Sequence, residues 1–427
     1  MPSDPHAVRS RLLEWWRDAD PAPPAFLPVY SAREQTRRED RLDWYLGIVE
    51  TELKAAPRTL SGKAAAGDRL AAAFRSFAHE ALDFEDRHLD LLLTGGFTAT
   101  GRELARAARR FDPAIAAADI FQASRNAWTA NGLQVLLGLS ARLTPAIFGY
   151  SMLYPCTDNY LDAPSVSPAA KREFSRRFGA RLAGADLAPA GRHEEQAWAL
   201  VGLIESQYSR AAHPEVFASL VAIHRAQERS LELHRAVAPA DVLEIGFEKG
   251  GASVVADAWL AAGALTPVEA AFAFAWGVAL QLGDDLQDVA ADARDGIRTV
   301  FSEAARRGPL DAATNRAFAF GARVLADLDA VGAAAPVAIK ELIRASFFML
   351  LTGAVGDARQ CYSADYVKAL ERRSPFTFDF LASRRRRFTR KRGLLERLAA
   401  TFSAAAEASE AQPEARAATL PCYTFQF

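Results

Sequence analysis

Apolar residues recur along most of this chain at the three- and four-residue spacing of helices that bury one face. Runs that alternate apolar and polar residues, which predict strands, are scarce. Breaks in the helical pattern coincide with proline or glycine, as at Thr144-Pro145 and Thr266-Pro267, where proline suits the first turn of a helix. The pattern therefore predicts an all-α protein.

The predicted helices fill most of the sequence between residues 6 and 408. They span 6–18, 31–56, 66–94, 99–111, 114–142, 145–163, 168–183, 192–209, 213–237, 239–263, 266–289, 299–307, 309–332, 335–357, 362–372 and 376–408. No repeat of fixed period is evident, which disfavours a solenoid. We predict one large domain at residues 29–400, an antiparallel helical bundle around a central cavity. An N-terminal helix and Pro-rich linker precede it at 1–28, and a tail follows at 401–427.

Composition and charge narrow the class of protein. Half of the 427 residues are apolar, and 51 basic side chains nearly balance 52 acidic ones. Balanced charge argues against a nucleic-acid partner, since phosphate contacts need a basic excess. The cysteines, Cys156, Cys361 and Cys422, are far apart and odd in number, which favours a reducing compartment. No apolar signal segment or run of roughly 18 apolar residues occurs, so we expect a cytoplasmic protein without a membrane span.

Two acidic clusters each end a long apolar stretch. The first acidic cluster is Asp158-Asn159-Tyr160-Leu161-Asp162, and the second acidic cluster is Asp284-Asp285-Leu286-Gln287-Asp288. In each, carboxylates four residues apart share one helix face, roughly 6 Å apart along the axis. Such oxygen ligands suit Mg²⁺, which shares its shell with water and substrate phosphates. Two such pairs facing each other across a bundle therefore predict binding of a diphosphate.

The second acidic cluster carries the stronger signal. Its three aspartates repel one another within a helix, and a bound cation offsets that repulsion. The helix before it, Phe272 to Leu280, is strongly apolar, which favours a pocket floor over a solvated face. The first acidic cluster, taken alone, is also compatible with a solvated acidic turn.

Four motifs in order resemble those of the class I isoprenoid synthases, the all-α superfamily of polyprenyl diphosphate synthases, squalene and phytoene synthases and terpene cyclases. The second acidic cluster is similar to their DDxxD motif, and the first is a DNxxD variant with Asn159 in place of an aspartate. Lys249, in Phe247-Glu248-Lys249-Gly250-Gly251, resembles a lysine that contacts diphosphate. Arg298, in Asp295-Gly296-Ile297-Arg298-Thr299, stands where lysine is common. The resemblance covers roughly residues 115–300.

The resemblance implies the isoprenoid synthase fold and a small-molecule prenyl diphosphate as substrate. It implies a cluster of three Mg²⁺ ions with the diphosphate, held by Asp158, Asp162, Asp284, Asp285 and Asp288. Of these aspartates, all but Asp285 are also predicted to be catalytic. Dimers are common among the enzymes that this chain resembles, so the expectation includes a homodimer.

The same resemblance assigns roles to basic and aromatic residues. Lys249, Arg298 and Arg125 would neutralise diphosphate oxygens, while the rings of Tyr154 and Trp128 would stabilise an allylic cation by roughly 0.5–2 kcal/mol each. Each has a simpler interpretation: a buried structural ion pair for Arg125 and ordinary core packing for the two aromatic residues.

Departures from the superfamily pattern separate the candidate activities. Chain-elongating enzymes carry an arginine pair soon after the first motif, whereas residues 163–168 contain no arginine, and Gly62-Lys63 is a poor match to their N-terminal motif. This favours a terpene synthase that cyclises farnesyl or geranylgeranyl diphosphate. A prenyltransferase, chain-elongating or of the squalene and phytoene head-to-head type, is the alternative, although many cyclases carry a different second motif from the one found here.

Two other protein classes and one basic segment complete the hypotheses. A diiron bundle needs two Glu-x-x-His motifs, and Glu85 to His88 is a single match. A non-catalytic helical binding or scaffold protein is a further alternative. The basic run from Arg384 to Arg392 fits either a solvated helix face or a peripheral contact with an anionic membrane surface.

Overall fold

A computed structural model of the chain describes residues 5–55, 59–234 and 239–389. These residues contain no strand, and the prediction of an all-α helical bundle is confirmed. The α-helices are α1 Pro5–Arg17, α2 Ala32–Ala55, α3 Leu60–Ala81, α4 Asp86–Leu93, α5 Phe97–Phe111, α6 Ala117–Leu136, α7 Pro145–Asp162, α8 Pro168–Leu182, α9 Arg192–Gln207, α10 Pro214–Ser230, α11 Pro239–Ala262, α12 Pro267–Gln287, α13 Val289–Asp295, α14 Val300–Ala305, α15 Asp311–Leu325, α16 Leu328–Val331, α17 Val337–Asp357, α18 Ala364–Glu371 and α19 Phe378–Thr389. Short 3₁₀-helices follow α10 at Leu231–His234 and α17 at Arg359–Cys361.

Differences from the predicted helices have local causes. The predicted helix at 66–94 is two helices, α3 and α4, because the chain turns between them at Asp83, whose φ of 57° is left-handed. The predicted helix at 266–289 stops at Gln287, and α13, which the sequence pattern does not predict, begins directly after Asp288. The part of the predicted helix 376–408 beyond Thr389, and the tail at 401–427, lie outside the described residues.

The two helices that carry the acidic clusters begin at well-formed N-caps. Thr144 caps α7, because its Oγ1 accepts a hydrogen bond from the Ile147 N–H at 3.2 Å. Thr266 and Glu269 form a capping box at the start of α12. A cap of this kind typically stabilises a helix by about 1 kcal/mol. Each helix therefore starts at a fixed point and ends at its acidic cluster.

Helix α11 contributes to two hydrophobic cores, and it packs against α6, α7, α10 and α12. Its Phe247 belongs to a core built mainly with α1, α12, α15 and α17, in which Leu12 and Trp16 of α1 are buried. Its Leu260 belongs to a core shared with α6, α7, α9 and α10. A third core joins α2, α3 and α4. Within the described residues, no helix is long and apolar enough to cross a membrane.

Helices α11 and α12 approach each other closely at two glycines. A Cβ atom at Gly277 would collide with the carbonyl oxygen of Gly250, and a Cβ atom at Gly250 would lie 2.5 Å from the carbonyl oxygen of Gly277. Neither position has room for a side chain, and we call this contact the glycine crossing. It brings Lys249, the residue before Gly250, close to the acidic end of α12.

Candidate functional site

A cavity of about 170 Å³ lies at the acidic end of α12. Asp284 and Asp285 occupy the last turn of this helix, and Asp288 follows as its C-cap. The wall is Ser230, Leu233, His234, Val242, Gly246, Lys249, Gln281, Asp284, Asp285, Asp288, Asp292, Ile297, Arg298 and Thr299. The volume is below the roughly 300–1,000 Å³ of pockets for drug-sized ligands. The cavity therefore suits a small polar group better than a whole prenyl chain.

Desolvation raises the pKa values of three carboxyls at this cavity, those of Asp285, Asp288 and Asp292. The half-buried Asp285 accepts a hydrogen bond from Gln281 Nε2 at 2.7 Å, and desolvation raises its pKa to about 7. Desolvation and the charge of Asp288 raise the pKa of Asp292 to about 6, and desolvation and Asp284 raise that of Asp288. In the described part of the chain, none of these four aspartates has an Lys or Arg nitrogen within 4.0 Å. Among the described residues, the four carboxyls thus form a negative site without a Lys or Arg ion-pair partner.

Lys249 is a half-buried basic side chain that faces both acidic clusters. Its positive charge opposes the rise in the pKa of Asp158, in the first acidic cluster. It does the same for Asp285 and Asp288 in the second. Because such an effect decays with distance, Lys249 lies near the acidic ends of both α7 and α12. The two clusters, 126 residues apart by number (284 − 158), are therefore both within electrostatic range of the same lysine.

The first acidic cluster lies beside the cavity, and its two aspartates are not in the cavity wall. Asp158 is half-buried, and desolvation followed by the charge of Asp162 raises its pKa to about 6. Thr157 Oγ1 lies 3.4 Å from an Asp158 carboxylate oxygen, and Asp162 is exposed. Asn159, the residue that departs from the superfamily motif, donates a hydrogen bond to Asp119 at 2.9 Å. Asn159 therefore links α7 to α6.

The two predicted arginines occupy different positions at the site. Arg298 lines the cavity, where its Nε lies 2.9 Å from Glu303 and its backbone N–H donates to the Leu233 carbonyl at 3.1 Å. Arg125 is exposed on α6, and its charge opposes the rise in the pKa of Asp288. Its exposure excludes the interpretation of Arg125 as a buried structural ion pair.

The two predicted aromatic residues differ in their surroundings. The Tyr154 hydroxyl lies 2.8 Å from Ser253 Oγ and 3.4 Å from the Tyr150 hydroxyl, and desolvation raises its pKa to about 12. It therefore joins α7 to α11, one turn from Asp158. Trp128 packs against Phe97 with ring centroids 4.9 Å apart and contacts the core of α1, α12, α15 and α17. Trp128 is not in the cavity wall.

The donors at this site fit Mg²⁺ when substrate oxygens complete its shell. Across the described ranges, no three His, Cys, Asp or Glu side chains are arranged to hold a metal ion by themselves. Mg²⁺ is usually bound by one or two carboxylates together with water and substrate phosphates. Asp284 and Asp288, one turn apart and both exposed, supply such a pair, and Asp158 with Asp162 supplies another.

The sequence pattern does not single out two residues of the cavity, Gln281 and Asp292. Asp292 stands four residues after Asp288, which itself stands four after Asp284. That spacing is the signal that could have revealed it. It is missed because α13 is not predicted, so Asp292 is not recognised as lying on a helix. Gln281 carries no signal apart from its place one turn before Asp285.

Three of the four arginines in the described part of the basic run form ion pairs, and the exposed Arg386 does not. Arg384 pairs with Asp43 of α2, Arg385 pairs with Asp357 of α17, and an Arg387 nitrogen lies 2.8 Å from Glu50. Residues 390–392 lie outside the described part of the chain. The three paired arginines therefore link α19 to α2 and α17, and the membrane contact stays a prediction.

In comparisons with known proteins, no protein-family model matches this chain, and no curated protein matches it.

Proposed function

We propose that this protein is a Mg²⁺-dependent class I terpene synthase that ionises a prenyl diphosphate and cyclises the resulting allylic cation. The observation that carries the proposal is the position of Lys249, whose charge acts on carboxyls of both acidic clusters. An anion placed between two rows of carboxylates needs cations between them. A lysine beside open carboxylates supports a site for metal ions and a diphosphate together.

The carboxylates and the basic residues have complementary tasks in this proposal. Asp158 and Asp162 on α7, and Asp284 and Asp288 at the end of α12, would hold Mg²⁺ from two sides. Bound Mg²⁺ supplies positive charge that stabilises a departing diphosphate. The ammonium group of Lys249 would contact the same diphosphate oxygens. All these charges are in place before the C–O bond breaks, so little reorganisation is needed.

Further basic and polar groups surround this centre. Arg298 reaches the cavity from the loop before α14, while Glu303 holds its guanidinium. Arg125 would add positive charge on the side of Asp288. The carbocation, once free of the diphosphate, would lie toward the apolar interior, where α7, α10 and α11 exclude water. Tyr154 stands at that boundary.

The lack of basic residues in the segment after the first acidic cluster favours cyclisation over chain elongation. The segment between α7 and α8, residues 163–167, contains no arginine or lysine. An elongating enzyme must bind a second diphosphate close to the first. A single site next to Lys249 is sufficient for a cyclase.

Product analysis tests the proposal. The purified protein with Mg²⁺ is incubated with geranyl, farnesyl and geranylgeranyl diphosphates, each with and without isopentenyl diphosphate. We expect a hydrocarbon or an alcohol from farnesyl or geranylgeranyl diphosphate alone. Chain extension that requires isopentenyl diphosphate would replace the cyclase with a prenyltransferase. No turnover and no Mg²⁺-dependent binding of diphosphate would favour a scaffold protein.

A further inference from the structure

A row of buried polar side chains joins three helices away from the cavity. Asn126 Nδ2 of α6 donates hydrogen bonds to both carboxylate oxygens of Asp257 of α11, at 2.9 and 3.0 Å. Asn126 Oδ1 accepts a hydrogen bond from Ser151 Oγ of α7 at 2.8 Å. Ser151 and Asp257 are only 0% and 2% exposed. We call Ser151, Asn126 and Asp257 the polar tie.

Stability alone does not account for a carboxyl at this place. Asp257 is buried on α11, whose Ala256 and Leu260 belong to the apolar core shared with α6 and α7, and desolvation raises its pKa well above the ordinary value. Replacing a buried polar set by apolar groups of similar shape is often neutral or stabilising, whereas removing one member leaves another unsatisfied. A directional link between helices is something that the polar tie supplies and an apolar core does not.

The three helices that the polar tie joins each carry a member of the proposed diphosphate site. Arg125 is the residue before Asn126 on α6. On α7, Asp158 lies seven residues after Ser151, and on α11, Lys249 lies eight residues before Asp257. Both separations are about two helical turns, roughly 10–12 Å.

A second link joins α7 and α11 about halfway along this distance. The Tyr154 hydroxyl lies 2.8 Å from Ser253 Oγ. Lys249, Ser253 and Asp257 are spaced at four-residue intervals along α11, and Tyr154 and Asp158 at the same interval along α7. Side-chain contacts therefore join the helices at two successive levels, and the next level, that of Asp158 and Lys249, is the one that would meet substrate.

We propose that Asp257 is a positioning residue for the diphosphate site. Through Asn126 and Ser151 it fixes α6 and α7 against α11. This spacing between the helices lets Arg125, Asp158 and Lys249 interact with the same diphosphate. This inference rests on the proposed function, and Asp257 itself does not touch the substrate.

The test compares stability with ligand affinity in the full-length protein. The main variant, Ser151→Ala/Asn126→Leu/Asp257→Leu, turns the polar tie into an apolar contact without leaving an unpaired partner. Asp257→Leu alone leaves the Asn126 amide unsatisfied, and Asp257→Asn is the conservative variant that keeps an acceptor for it. Each protein is measured for Tm and for the Kd of inorganic diphosphate with Mg²⁺. Lys249→Met reports whether that anion occupies the proposed site.

A positioning role predicts that the triple variant keeps its Tm but binds diphosphate about 10–100-fold more weakly, as expected for a misplacement near 1 Å. Asp257→Asn should recover most of the affinity that Asp257→Leu loses. A triple variant that binds diphosphate like the wild type overturns the inference, since the polar tie is then only structural. Should that variant fail to fold, Ser151→Ala decides in its place: weaker binding supports a positioning role, and unchanged affinity refutes it.

Failure of the proposed function itself gives a different result. If the wild-type protein does not bind diphosphate with Mg²⁺, or if Lys249→Met binds it as tightly as the wild type, the proposed function is wrong and the inference goes with it. If the wild type binds diphosphate, Lys249→Met weakens that binding and the triple variant does not, only the role of Asp257 is wrong.

Discussion

The acidic end of α12 and the basic helix α19 are both runs of like charge in sequence, yet they differ in whether their charges form ion pairs. Arg384, Arg385 and Arg387 are each paired with a carboxylate of α2 or α17. In the described residues, Asp284 and Asp285 have no ion pair of this kind, and Lys249 acts on the cluster as a neighbouring charge. The paired arginines hold helices together, whereas the acidic end of α12 is where we propose that a ligand binds.

The largest effect is expected at the acidic end of α12. Asp284→Ala should lower turnover of a prenyl diphosphate by at least about 10³-fold, because it removes an exposed metal ligand that stabilises the leaving group. Tm should change little, since Asp284 is exposed. Steady-state kinetics and thermal unfolding measure both. Asp365→Ala, an exposed aspartate of α18, is the matched control. Equal activity of the two variants would contradict the ligand role of Asp284.

Removing the cation near both clusters should have the next largest effect. Lys249→Met removes the charge, keeps an unbranched side chain one atom shorter, and should weaken Mg²⁺-dependent binding of inorganic diphosphate about 10²-fold, since a charge that faces the anion is lost. Titration calorimetry provides the measurement. Lys368→Met, on the exposed face of α18, is the control and should bind normally. An unchanged Kd in Lys249→Met would remove the observation on which the proposed function rests.

A smaller effect should appear in the pH dependence of stability. The pKa values of Asp285 and Asp158, about 7 and about 6 in the fold, exceed the ordinary value of 3.8. Between these pKa values the folded state holds protons that the unfolded chain has lost. The stabilisation that these protonated carboxyls give to the fold is therefore complete below about pH 4 and is lost as pH rises through 6 and 7. Because Mg²⁺ binds ionised carboxyls, added Mg²⁺ should restore stability at the upper end of this pH range.

Thermal unfolding with EDTA or with Mg²⁺ tests this pH dependence. Between about pH 5 and pH 8 the Tm shift caused by Mg²⁺ should grow. Asp285→Asn, which does not titrate, should flatten part of the slope in EDTA. A Mg²⁺ shift that is constant across this range would show that these carboxyls do not bind the ion.

The smallest effect is expected at α19. Arg384→Gln should destabilise the fold by only about 0.2–1 kcal/mol, because the pair with Asp43 is partly exposed to solvent. A double-mutant cycle with Asp43→Asn, measured by urea unfolding, isolates the pair. Diphosphate affinity should stay unchanged in all three variants. A loss of diphosphate affinity in the Arg384 or Asp43 variants would contradict the proposal that, of the two charge runs, only the acidic end of α12 serves the ligand.

Local signals made the helices predictable. Thr144-Pro145 and Thr266-Pro267 mark the starts of α7 and α12 because caps act over a few residues. The apolar pattern continues across Asp83, so the break between α3 and α4 is not predictable from periodicity. The pairing of Arg384 with Asp43, 341 residues away, depends on the whole fold.

The candidate site was predictable in its parts but not in its assembly. Both acidic clusters are visible as four-residue spacings, and Lys249 comes from the resemblance to a superfamily rather than from any pattern. The nearness of Lys249 to both clusters follows from the packing of α11 against α7 and α12, which the sequence does not express locally. Asp257 gave no sign at all, since a single aspartate in an apolar helix shows neither its burial nor its partner.

A small tilt of α12 about the glycine crossing would move the acidic end of this helix. Lys249 lies next to the glycine crossing, whereas Asp284 lies seven residues beyond Gly277, roughly 10 Å along the helix. A tilt of about 6° at the crossing would swing Asp284 by about 1 Å, a displacement that can slow catalysis about 10²-fold. A methyl group added at Gly250 or Gly277 would push the two helices apart at their contact. This change would displace the acidic end of α12 without altering any site residue.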